Sequence, residues 1–136
     1  MKKNNKGFSL VELIIVIAIM AILAGALAPA LIKYIAKSRR STDVSNAQTI
    51  ATAVTNALSV EKAYDDAVSF SFDANGKCSG TTDFEKEVSS QLGSSAYKPK
   101  YDKTNVFNVT LASDKSTFTI DVGGSELYPD VCAEYK

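Results

Sequence analysis

Histidine is absent from the 136 residues. With it go the commonest general base, the usual nucleophilic triads and many metal-ligand sets. Cysteine occurs twice, at Cys78 and Cys132, too far apart for a zinc signature and with no histidine to complete one. No glycine-rich phosphate loop, cofactor fingerprint or nucleophile with a nearby base is present. The paired acids Asp65-Asp66 and Glu85-x-Glu87 read as solvated faces. The sequence therefore calls for no catalytic residue, no metal and no cofactor, and it is not read as an enzyme. Internal repeats and low-complexity tracts are missing too. Net charge is zero, but residues 60–136 hold eight lysines against thirteen acids. Phosphate binding needs clustered positive charge, so no specific nucleic-acid binding is expected of this outer part. The length fits one domain with an appended helix, and the globular remainder has only a small core to hold it.

The dominant feature is an apolar run. Leu13 to Ile32 is twenty residues without a charge, about enough for a helix to cross a hydrocarbon layer of ~30 Å. One carboxylate, Glu12, stands at its leading edge. An acid there costs roughly 2–3 kcal/mol on insertion scales and reads as functional by default. Lys33, Lys37, Arg39 and Arg40 follow the run and are read as a collar at lipid headgroups or in a filament wall. Ahead of it, Met1-Lys-Lys-Asn-Asn-Lys-Gly7 is a polar, basic leader to be set aside in fold reasoning. An ordinary secretory signal is the competing interpretation, because Ala26-Leu27-Ala28 has the A-x-A form. Three features weigh against it: the run exceeds a usual apolar region of roughly 7–15 residues, Glu12 interrupts its start, and Pro29 would follow the cut.

A basic leader, a glycine, a phenylalanine and a glutamate four residues later, in Lys6-Gly7-Phe8-Ser9-Leu10-Val11-Glu12, together resemble the processing and assembly signal of type IV pilins, in the type IVa style with an N-methylphenylalanine terminus. The resemblance is strong over residues 1–35 and fades to architecture after about residue 60. It implies a leader at 1–7, a transmembrane and assembly helix at 8–35, and a pilin domain with the second half of the helix at 36–136. It implies cleavage between Gly7 and Phe8 by a prepilin peptidase and methylation of the new Phe8 amine. The subunit pool would wait in the cytoplasmic membrane before entering an extracellular homopolymeric filament through the pilus assembly machinery. Adhesion, motility and DNA uptake are the roles that such fibres support. Glu12 is expected to meet the Phe8 amine of a neighbouring subunit, which would set register, with capping of its own helix as the alternative. A pseudopilin of a type II secretion or competence system shares the motif, and Asp121, Glu126 and Asp130 leave a calcium site open for it. A single-pass anchor for an acidic binding domain is the third interpretation.

Within the run, Ala18, Ala21, Gly25 and Ala28 fall on one helical stripe that lets another backbone approach. Pro29 has no N–H for the carbonyl of Gly25, so Gly25–Pro29 is the weakest part of the helix and is expected to kink, and to lose helical bonding in a fibre. Val44, Ala47, Ala51, Val54 and Leu58 continue the helix to about Ser59 as an amphipathic half, with Asp43 on its solvent side. Asp73–Gly76 reads as a turn, and Asp83–Leu92 as a short helix opened by the Thr82-x-x-Glu85 capping box and stopped by Gly93. Ser94–Lys103 reads as loop or a poorly defined strand. Val106–Ala112 and Thr117–Val122 alternate as a hairpin, and Tyr128–Tyr135 closes the chain with room for a third short strand. The fold expected is α+β: a long N-terminal helix, membrane-spanning in its first half and amphipathic in its second, packed against a small antiparallel sheet. In an exported chain Cys78 and Cys132 are expected to form a disulfide rather than remain two free thiols.

Overall fold

The computed structural model describes residues 7–136. The leader expected at 1–7 therefore lies outside the described residues except for Gly7. The chain divides into two compact units, one ending at Ala36 and the other Lys37–Lys136.

Helix α1 is Leu10–Leu58 and contains Pro29. In the first unit every residue from Leu10 to Ile35 is exposed. The helix is long and apolar enough to cross a membrane, with a mean hydropathy of 2.8 in its most apolar stretch. Gly25 and Pro29 do not interrupt it in the single chain.

The second unit is the α+β domain. Its part of α1 buries Ala47, Ile50, Ala51, Ala53, Val54 and Ala57, a stripe at spacings of three and four that puts one helix face inward. Short α2 (Glu61–Asp65) and β1 (Phe70–Ser71) follow, both too brief to leave a periodic signal in the sequence. Helix α3 spans Asp83–Leu92. Its capping box is complete: Thr82 Oγ1 accepts from the Glu85 amide at 3.1 Å, and the Glu85 carboxylate accepts from the Thr82 amide at 3.2 Å. Gly93 ends it at a φ of 67°, where a Cβ would be strained.

Strands β2 (Phe107–Leu111), β3 (Phe118–Val122) and β4 (Ser125–Tyr128) complete an antiparallel sheet in the order β1-β2-β3-β4. Phe107 lies opposite Val122 and Val109 opposite Ile120, so their apolar side chains share one face. Between β3 and β4, Gly123 and Gly124 both have positive φ, 59° and 89°, as a two-residue hairpin turn requires. The third strand expected after Tyr128 thus lies earlier, at Ser125–Tyr128, and a short 3₁₀ turn, Ala133–Tyr135, occupies the tail. Phe84 and Val88 of α3, Ile50 and Val54 of α1, and Val109, Ile120 and Leu127 of the sheet form one core. Ser94–Lys103 contains no strand.

Candidate functional site

Gly7 and Phe8, the residues expected to flank a cleavage, precede the first helical turn. A Cβ on Gly7 would meet nothing within 4 Å, and Phe8 is 90% exposed. This stretch is open to an enzyme cleft. Ser9 then caps α1. Its amide donates to the Glu12 carboxylate at 3.4 Å, and the Glu12 amide donates to Ser9 Oγ at 3.2 Å. That reciprocal pair is a capping box, and the Leu13 amide closes the turn on the Ser9 carbonyl at 3.2 Å. The glutamate also stands in the first turn, where the helix dipole favours an anion. In the single chain Glu12 thus caps its own helix. Ser9 is the partner that sequence reasoning passed over, although Ser9-Leu10-Val11-Glu12 carries the S-x-x-E signal.

Further along, Gly25 has open space around it, and a Cβ there would meet nothing within 4 Å. Both Gly25 and Pro29 lie in the exposed apolar part of α1.

Asp43 corrects the sequence reading. Expected on the solvent side, it is fully buried, and it accepts from the Lys100 and Tyr101 amides at 2.7 and 2.9 Å. The 94–103 loop has few backbone partners of its own, and this carboxylate supplies two. One turn earlier, Arg40 donates to the Glu134 carbonyl at 3.0 Å and sits 5.2 Å from the centre of the Tyr101 ring. Tyr101 packs edge-on against Tyr135. Burial first, and the Asp43 carboxylate second, push the Tyr135 hydroxyl well above the ordinary tyrosine range. Arg40, read as part of a basic collar, is thus also a clasp between α1 and the tail.

The expected Cys78–Cys132 disulfide is not present: both are free thiols. Cys78 lies in the connection between β1 and α3, and Cys132 stands just before the 3₁₀ turn of the tail. Cys78 is instead buried, with its Sγ 3.5 Å from the Glu85 carbonyl, and burial pushes its thiol up to about 11. Asp121 accepts from Asn108 and from the Gly124 amide, and no group of three or more metal-ligating side chains converges among the described residues.

Residues 2–28 match the family model of the prokaryotic N-terminal methylation motif. The chain is also similar to the type IV major pilin protein PilA of Myxococcus xanthus (strain DK1622), 40% identical over 63 residues. That alignment covers 46% of this chain and 29% of the relative, so the chain spans less than a third of the relative's length in the match. No solved structure matches.

Proposed function

We propose that this chain is a type IV pilin, a structural subunit that polymerises through helix α1; its N-terminal methylation motif and its similarity to a type IV major pilin support this. A prepilin peptidase cuts between Gly7 and Phe8, and Phe8 is then methylated. The subunit is held in the cytoplasmic membrane by the apolar half of α1 until the assembly machinery moves it into a homopolymeric fibre at the cell surface. There the fibre serves adhesion, motility or DNA uptake.

One observation carries this reading. Helix α1 exposes a continuous apolar surface from Leu10 to Ile35. Water disfavours such a surface by about 25 cal/mol for each Å², so the helix must reside in lipid or among other helices. A membrane pool and a fibre core are the two environments that supply those partners.

Glu12 connects them. While Gly7 is attached, Phe8 has no free amine, and the glutamate caps Ser9. After the cut, the Phe8 amine of a neighbouring subunit is a cation that the carboxylate can meet in the fibre core. Desolvation offsets much of the attraction, so the pair contributes register more than stability. A neighbour in the wrong register leaves a charge buried and unpaired, which is costly.

The experiment is Glu12→Val in the cell that makes the fibre, with intact-mass analysis of the subunit and microscopy of sheared fibres. The expected result is a chain that begins at methylated Phe8, inserts in the membrane and yields few or no fibres. Fibres at the normal level would sink the pairing mechanism. A native chain that still begins at Met1 would sink the processing reading.

A further inference from the structure

In the domain, a cleft of about 390 Å³ opens between α1 and the tail, with Lys37 and Arg40 on one wall and Lys136 on the other. Val44 and Val131 form its apolar floor, both half-buried, and the buried Tyr135 lines it as well. The Glu134 carboxylate is bonded to Ser125 Oγ at 2.8 Å and does not line the cleft. The Arg40 guanidinium is already held by the Glu134 carbonyl and the Tyr101 ring, which leaves two lysines around an apolar floor to suit a ligand anionic at one end and hydrocarbon at the other.

Chain connectivity says where such a ligand would come from. Lys37 follows Ile32, the last residue of the apolar run, by five positions. A chain spans at most about 3.5 Å per residue, so Lys37 stays within about 18 Å of Ile32 whatever path is taken. The headgroup layer extends roughly 5–7 Å beyond the hydrocarbon on each side, within that reach. A long polyanion is a poorer fit, because residues 37–136 carry eleven basic and fourteen acidic side chains and would repel it outside the cleft.

We propose that this cleft holds the headgroup of an anionic phospholipid while the subunit is in the membrane. Lys37 and Lys136 face the phosphate, and Val44 and Val131 lie against the glycerol and first methylenes. The lipid then steadies the domain at the bilayer surface and must be surrendered when the subunit leaves the membrane. This inference rests on reading the apolar half of α1 as a membrane anchor.

The test is lysine acylation, read by peptide mass spectrometry, on the full chain in nanodiscs of phosphatidylcholine alone or with phosphatidylglycerol. Lys37 and Lys136 are expected to react about fivefold more slowly with phosphatidylglycerol, the factor one basic residue gains near an anionic surface, while Lys86 on α3 is unchanged. The exposed-site variant Lys37→Ser should lose most of the protection at Lys136, and Val131→Asp should abolish it while leaving Lys33 protected. Equal rates in the two kinds of disc overturn the proposal. So does protection in phosphatidylcholine that grows with the number of chains per disc, which would place a second copy in the cleft. Equal protection from inorganic phosphate alone assigns the cleft to a free anion and also overturns it. Failure of the anchor reading is separable, since a chain that is no membrane protein would not enter the discs at all.

Discussion

Two backbone amides, those of Lys100 and Tyr101, end on the Asp43 carboxylate inside the domain. An acid is buried there because the loop it grips cannot pair its own amides, and charge-assisted bonds to backbone N–H groups satisfy both sides. Asp43→Ala should lower stability by about 3 kcal/mol, since two buried donors lose their acceptor. Asp43→Asn keeps one acceptor oxygen and should lose about half as much. Denaturant unfolding of the detergent-solubilised chain, followed by near-ultraviolet dichroism, measures the difference. The cysteines make the second residue-scale case. Cys78 is 8% exposed and its thiol is raised to about 11, so its thiolate is scarce at neutral pH. Maleimide should label Cys132 quickly and Cys78 slowly in the folded chain. Both should label at once when the chain is unfolded without reductant, and two unreactive cysteines at that step would restore the disulfide.

At the scale of elements, α1 is one helix with two kinds of surface. Pro29 removes one intrahelical donor, yet the helix continues through it in the single chain, because the other bonds of that turn hold the geometry. In a fibre, packing among identical helices would change that balance, because neighbouring backbones and side chains could take over carbonyls that the turn leaves without a donor. We propose that Gly25–Pro29 loses helical bonding there and gives the fibre its extensibility. Pro29→Ala should restore the missing donor and raise the force needed to extend single fibres. A density map of the native fibre with unbroken helix across these residues would refute the melting. Helix α3 shows the opposite case: Thr82 and Glu85 fix its start, and Gly93 fixes its end.

For the whole domain, acid sensitivity is built into its turns. Asp73 is held below the ordinary aspartate value by the Lys77 amide, Asp102 by the Asn105 side chain, and Asp114 by the Ser116 hydroxyl. Each is a lowered carboxyl, so its contribution is full above the unfolded value of 3.8 and is lost as pH falls through the lower folded value. Stability should therefore fall on acidification below about pH 4. Replacing Asp73, Asp102 and Asp114 together by Asn should make that fall shallower, as thermal unfolding at a series of pH values will show. An unchanged acid slope would mean that other carboxyls dominate.

The elements legible in the sequence were those whose signals are local. An uncharged run from Leu13 to Ile32 is long enough for a membrane-length helix, and Thr82-x-x-Glu85 with Gly93 marks both ends of α3. Alternation in Phe107–Leu111 and Phe118–Val122 placed the central hairpin, because a side-chain period of two is a property of the strand alone. The leader motif likewise needed no fold, since it is a short run of consecutive residues, Lys6-Gly7-Phe8 with Glu12 four positions on. Other features required the chain to close on itself. Strand β1 is two residues long and exists because β2 offers it an edge; β4 is set by the Gly123-Gly124 turn that returns the chain beside β3. Helical spacing alone gave Asp43 to solvent, and only the 94–103 loop lying over that face made burial the satisfied state. The cysteines could be counted in the sequence, but the fold seats Cys78 in the core against the Glu85 carbonyl and leaves Cys132 half-buried in the tail, and placement in space rather than number decides whether two thiols can join.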